Sequence, residues 1–251
     1  MPLYNPTGSS GSVWSTVLDL NFTTQTNQTL NADGSYTIGG LTWVLSNYAA
    51  CVVSPQVING TGLVIQPTMA TDWYGITRTA PLLKLFANQL GASVGQYTPL
   101  RIRQAVTLTN ATAQYSRGFI AVDRNSGGVQ SFIYASSGIL AGLPVCSMET
   151  TKTNTNLGAV DQLTGGVQQD TLEIISPTGW GGWAWQTSYG LNWPTEGSMN
   201  MLQSTIDTAN NTQTTLGAST SDWGIVLGGL RAGSLDALTC TFTRLKIEAM
   251  L

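Results

Sequence analysis

The sequence predicts an all-β protein, an antiparallel β-sandwich, and three observations carry that prediction. Short runs alternate apolar and polar residues at period two. In Trp14–Phe22, Leu18, Leu20 and Phe22 share one face while Val17, Asp19 and Asn21 share the other. Glycine-containing steps punctuate these runs at Asp33-Gly34, Gly39-Gly40 and Asn59-Gly60, where tight turns require residues that accept positive φ. Hydrophobic residues make up 42% and charged residues 9%, against a usual charged share of about 25%. Thr, Ser, Asn, Gln and 28 glycines take up the difference, and Thr packs well on a pleated sheet.

Taken in order, residues 1–12 hold two prolines and two glycines and read as an extended N-terminal arm, either reaching a neighbour or fraying. Residues 13–251 read as a single sandwich domain. Ser35–Ile38 and Leu41–Leu45 form a hairpin around Gly39-Gly40. Tyr48–Val53 and Val57–Ile58 lead through Asn59-Gly60 to Leu63–Ile65. Leu82–Leu90, between Pro81 and Gly91, has the pattern of one short helix. A strand over Leu83–Phe86 is the alternative.

In Leu100–Thr109, one face carries Leu100, Ile102, Gln104, Val106 and Leu108. The other carries Arg101, Arg103, Ala105, Thr107 and Thr109. Tyr115–Val122 and Val129–Ala135 make a hairpin about a loop of roughly six residues from Asp123 to Gly128. Leu143–Thr150 is a strand, Thr151–Gly166 a loop, and Thr171–Ser176 a short core strand. Residues 177–222 read as a long Trp-rich loop region, and long loops tend to be functional. Trp223–Leu230 and Leu238–Leu251 close the fold. In the last strand a bulge near Thr243 would gather Cys240, Phe242, Leu245 and Ile247 on the core face. Arg244, Lys246 and Glu248 would then meet solvent or a neighbour and contribute little to folding.

The opening, Leu18-Asp-Leu-Asn-Phe22 followed by Asp33-Gly-Ser-Tyr-Thr-Ile-Gly-Gly-Leu-Thr-Trp43, resembles the first strands of tailed-bacteriophage virion structural proteins with a concanavalin A-like jelly-roll domain. The likeness covers the two ends of the chain and the strand spacing. It implies that the first and last strands lie side by side. It also implies residence in the virion as a capsid-decorating, fibre or baseplate subunit, homo-oligomeric and attached to other virion proteins.

Composition excludes several classes. Ten Lys and Arg and a net charge of −3, with no basic cluster beyond Arg101-Ile-Arg103, leave nothing to track phosphates, so no nucleic-acid partner is expected. No apolar run is long enough for a membrane span, so no membrane partner is expected either. The N-terminus lacks a signal peptide, and the Met start points to a nearly complete chain made in a host cytoplasm. With no histidine, Ser-His-Asp and Cys-His machinery and HExxH metal sites are ruled out. Cys146 and Cys240 sit in apolar or alternating runs and read as small buried hydrophobes, while a disulfide between two of Cys51, Cys146 and Cys240 is left open and is not predicted. Asp123, Asn125, Asp207, Asn210 and Asn211 read as turn residues rather than calcium ligands. No metal and no cofactor are expected.

Carboxylate chemistry is the remaining enzymatic option. The glutamates are scattered, and a glycosidase site would need Glu149 and Glu173 to meet across a sheet. No enzymatic activity is expected. Trp180, Trp183, Trp185, Tyr189 and Trp193 form the one conspicuous cluster. Flat rings of this kind stack on sugars, and they also anchor subunit interfaces. The first functional expectation is a non-enzymatic virion structural protein. The alternative is a carbohydrate-binding module recognising a host surface glycan through the Trp cluster.

Overall fold

The computed structural model describes residues 14–68, 80–94, 98, 100–109, 116–126, 129–140, 143–150, 155–161, 168–174, 182–187, 200–204, 223–231 and 238–251. The strands are β1 (Trp14–Asn21), β2 (Gln28–Thr29), β3 (Gly34–Ile38), β4 (Leu41–Ser46), β5 (Gln56–Ile58), β6 (Gly62–Ile65), β7 (Leu82–Phe86), β8 (Leu100–Thr109) and β9 (Ser116–Ser126). They continue with β10 (Val129–Leu140), β11 (Leu143–Thr150), β12 (Thr155–Asp161), β13 (Gln168–Ile174), β14 (Gly182–Thr187), β15 (Asn200–Ser204), β16 (Trp223–Leu230) and β17 (Thr239–Met250). Every pairing among them is antiparallel.

Two sheets result. The nine-stranded sheet runs β15-β14-β13-β8-β17-β6-β5-β2, with β1 also on β17; the eight-stranded sheet runs β12-β11-β10-β9-β16-β7-β4-β3. β17 pairs with β8 along one edge. Its other edge is shared, with β6 on Cys240–Phe242 and β1 on Arg244–Met250. The first and last strands therefore lie side by side, as expected.

The bulge expected near Thr243 is present, as a register shift against β8 between Phe242 and Arg244. The extra residue lets one strand present Cys240, Phe242, Leu245 and Ile247 to the core, all of them buried. They join Leu20, Phe22, Trp43, Leu63, Leu83 and Ile102 in one apolar cluster. Trp43 is its bulkiest member, and its indole N–H donates to the Ile38 carbonyl at 3.2 Å. Phe22 tilts against it, the ring centroids 6.0 Å apart. Gly62 (φ +122°) lies so close that a Cβ there would sit 2.3 Å from the Phe242 carbonyl oxygen, so both backbone angle and contact demand glycine.

The Gly39-Gly40 hairpin forms with φ of +62° and +77°, which suits a type I′ turn. Asp33-Gly34, by contrast, is no hairpin turn: Gly34 opens β3, and the preceding β2 belongs to the other sheet. The helical pattern at 82–90 resolves as β7 followed by a single 3-10 turn, Ala87–Leu90, ended by Gly91 at φ +98°. β7 is a central strand between β4 and β16, and Leu82, Leu83, Lys84 and Leu85 are all buried. Burial on both faces removes the apolar–polar alternation, with Lys84 the one charged residue in the run.

Other expectations shift in detail. Tyr48–Ala50 is a 3-10 turn. Asp123 and Asn125 lie within β9, so the β9–β10 connection is shorter than six residues. β12 occupies part of the expected 151–166 loop, and β14 and β15 lie within 177–222. Residues 1–13, Asp207, Asn210 and Asn211 lie outside the described residues.

Phe242→Ala is expected to cost about 3–5 kcal/mol through lost burial and the cavity left behind, read as a lower urea midpoint. Gly62→Ala should cost about 1–3 kcal/mol through backbone strain, with further loss from the collision with Phe242. Unchanged midpoints would refute this account of the bulge.

Candidate functional site

Residues directly opposite one another on paired strands share a face, so register carries a row of positions across a sheet. On the nine-stranded sheet one row runs Thr16, Glu248, Arg101, Glu173, Trp183, Gln203. The next runs Asp19, Lys246, Arg103, Thr171, Trp185, Met201. Leu100, Ile102 and Val106 of β8 are buried in the core, so by alternation these rows form the outer face. Trp183 and Trp185 thus share the outer face with two arginines, a lysine and two glutamates.

The charged half of this face is knitted together. Glu248 accepts from Lys246 Nζ at 2.7 Å and lies 3.3 Å from Arg103 Nη2 and 3.9 Å from Arg101 Nη1. The Arg101 guanidinium lies 4.5 Å from the centre of the Trp14 ring, a cation–π contact. Glu248 and Arg103 retain only 9% and 7% of their exposure. A carboxylate so desolvated is stable only when paired, and here three cations surround it. At the open margin, Arg244 grips Asp19 through two hydrogen bonds, Nε to Oδ1 at 2.7 Å and Nη2 to Oδ2 at 2.6 Å. That grip lowers the Asp19 pKa and raises that of Arg244. The charged trio of β17 is thus engaged within the chain rather than left to solvent, contrary to the sequence expectation.

Of the sequence-proposed cluster, Trp183 and Trp185 sit two residues apart on β14 and fall on one face. Trp180, Tyr189 and Trp193 lie outside the described residues. Alternation along residues 182–187 was the available signal for this pair, obscured by the flanking glycines. Trp14, Arg101, Arg103, Lys246 and Glu248 went unrecognised as neighbours of the cluster because only pairing across five strands, β14, β13, β8, β17 and β1, unites them.

The two candidate acids do not meet. Glu173 is on the outer face of the nine-stranded sheet, whereas Glu149 falls in the row of Tyr134, Ala121, Val226 and Lys84 on the eight-stranded sheet. Leu83, Leu85, Ile225 and Leu227 supply that sheet's core face, so Glu149 lies on its outer side. The two positions thus fall on different sheets, whereas a glycosidase pair would have to be brought together on one site.

Cys51 and Cys240 are free thiols, and Cys146 falls in the inward row of Gly118 and Gly229. Burial pushes the Cys51 thiol up to about 12 and raises Cys240 as well. Among the described residues no group of His, Cys, Asp or Glu could hold a metal ion. No described helix is long and apolar enough to cross a membrane.

No protein-family model matches the sequence, and no curated protein does so. Solved structures do match. The winged bean acidic lectin complexed with methyl-α-D-galactose superposes with a TM-score of 0.53 at 11% identity, over 90% of this chain and 98% of the lectin. An engineered GH43 glycoside hydrolase with endo-xylanase and exo-arabinofuranosidase activity gives 0.55 at 10% identity, over 89% of this chain and 40% of the enzyme. The CBM2 module of the evolved Dit of Lactobacillus casei BL23 phage J-1 gives 0.47 at 10% identity, over 96% and 98% of the two chains. On the first two, the chain has the fold of the lectin-type jelly-roll sandwiches.

Glu248→Gln should destabilise the protein by roughly 3 kcal/mol, because the nearly buried carboxylate shared by Lys246, Arg103 and Arg101 would be lost. Asp19→Asn should cost less than about 1 kcal/mol, since its pair is partly solvated. The Asp19 pKa is lowered on folding, so its contribution is fully present above the ordinary carboxylate value and is lost as pH falls from there through the lowered one. Urea unfolding of the three proteins at neutral pH and in acid checks both: the gap between wild type and Asp19→Asn should narrow as pH falls below the ordinary carboxylate value.

Proposed function

We propose that this chain is a non-catalytic carbohydrate-binding sandwich that works as part of a bacteriophage particle. The observation carrying the binding role is the common face of Trp183 and Trp185 on β14, joined through β13 and β8 to Trp14 and its stacked Arg101. Apolar ring faces suit the C–H faces of pyranose rings, and the intervening charged and amide groups suit their hydroxyls. The separation of Glu149 from Glu173, and the commitment of Glu248 to three cations, favour binding over hydrolysis. The glycan belongs to a host surface in this reading.

The virion setting is supported by the opening-strand resemblance, the side-by-side first and last strands, and the low charge, which reduces repulsion between packed copies. Attachment to other virion proteins and homo-oligomerisation follow from it.

Glycan-array binding should fall about tenfold or more in Trp183→Ala and Trp185→Ala, with the unfolding midpoint retained. Binding that survives the double substitution would remove the site. Light scattering should report an oligomer; a stable monomer with no affinity for phage structural proteins would remove the virion reading.

A further inference from the structure

We infer that a cleft on the open side of the sandwich is a second saccharide site, one that takes an uncharged sugar through side-chain amides and hydroxyls. It lies apart from the tryptophan face and rests on the carbohydrate reading only for the class of ligand. β2 and β3 are the terminal strands of the two sheets on this side. The cleft has a volume of about 420 Å³ and is lined by residues 25–28 and 37–40, the latter forming the Gly39-Gly40 turn. A second hollow of about 370 Å³ adjoins it, sharing Asn27 and Gln28 and reaching Gln56. Small-molecule sites occupy roughly 300–1,000 Å³, and both hollows fall in that range.

The polar groups here divide into two sets. One set fixes the wall. Gln25 Nε2 donates to the Asn21 carbonyl at 2.8 Å, and the Gly60 N–H donates to the Thr23 carbonyl at 2.7 Å. The Asn59 N–H donates to Asn27 Oδ1 at 2.7 Å, and Asn59 Nδ2 donates to the Gln25 carbonyl at 3.3 Å. Residues 23–27 are thereby held to Asn59 and Gly60, so little ordering remains to be done on binding. The other set faces the hollows. The side chains of Thr26, Gln28, Thr37 and Gln56 make no hydrogen bond to a described residue. Asn27 has its Oδ1 engaged and presents its NH2. Gln28 is partly buried, where an amide without a partner costs stability that a ligand would recover.

Every residue lining the two hollows is uncharged. A charged ligand would lose hydration there with no opposite charge in return. A primary amide sets an acceptor beside a donor, the pattern that neighbouring sugar hydroxyls complement, and a threonine hydroxyl does both at one atom. A Cβ at Gly40 would meet nothing within 4 Å, so the mouth beside the turn is open. Six strand steps separate β2 from β14, about 29 Å at roughly 4.8 Å per step. The two sites therefore engage separate stretches of glycan and reinforce one another on a dense surface, where loss of either weakens binding.

The test is NMR of the isotope-labelled full chain titrated with neutral gluco-, galacto-, manno- and xylo-oligosaccharides. Side-chain NH2 signals of Asn27 and Gln28 report the cleft, and indole signals of Trp183 and Trp185 report the tryptophan face. At least one neutral sugar should shift the Asn27 and Gln28 signals to saturation. Gln28→Ala and Thr37→Val should each weaken that binding about threefold or more, as loss of one hydrogen bond does, with the unfolding midpoint retained. No response at Asn27 and Gln28, or a response that survives both substitutions, would overturn the cleft; indole shifts in the same titrations would leave the tryptophan face standing. Cleft shifts without indole shifts would support the cleft and count against the tryptophan face. Tighter binding of acidic than of neutral sugars at Gln28 would overturn the uncharged class.

Discussion

One extra residue in the last strand is the constraint on which the nine-stranded sheet depends. Strict alternation through β17 would place Phe242 and Leu245 on opposite faces, and one of two large apolar side chains would be driven into water. The bulge at Thr243 brings both into the core. It also falls where the partner on β17's second edge changes from β6 to β1. Beyond it, the residues left outside are Arg244, Lys246 and Glu248. The same irregularity therefore completes the core and builds the charged face.

That face reverses the usual economy of an outer sheet surface. Exposed ion pairs stabilise little, as at Asp19 and Arg244, where solvent competes. Glu248 and Arg103 are nearly as buried as the core, and for them removing one partner is far more disruptive than for the exposed pair. A cluster of this kind fixes side-chain positions more than it stabilises the fold. In the proposed carbohydrate role, fixed positions leave little ordering to do on binding.

Much of the architecture was legible in the sequence because its signals are local. The Gly39-Gly40 turn, the bulge in β17 and the faces of β8 all follow from alternation and φ > 0 requirements within a dozen residues. β7 was harder: a strand buried on both faces has no alternation, and Leu82, Leu83 and Phe86 fall at helical spacing by accident of composition. β12, β14 and β15 were hidden among Gly, Thr and Asn, which read as loop when judged without a neighbouring strand. The candidate site was the least legible part. Trp183 and Trp185 were visible as types, but their alignment with Arg101 and Glu248 exists only through register across β13, β8 and β17, which no local pattern encodes.

The pairing of β1 with β17 also bears on how the protein is made. The Asp19–Arg244 contact spans 225 positions in the chain, so β1 waits for its partner until β17 has emerged. At a typical elongation rate of 5–20 residues per second that wait is roughly 10–45 s. Throughout it, Leu18, Leu20 and Phe22 have no sheet to enter, and neither does the edge of β8 that β17 will occupy. The central pairing of the nine-stranded sheet therefore waits for β17, is dominated by non-local contacts and is slow in the manner of other β-sandwiches. An overproduced chain is most exposed to aggregation in that interval, before β1 and β17 have met.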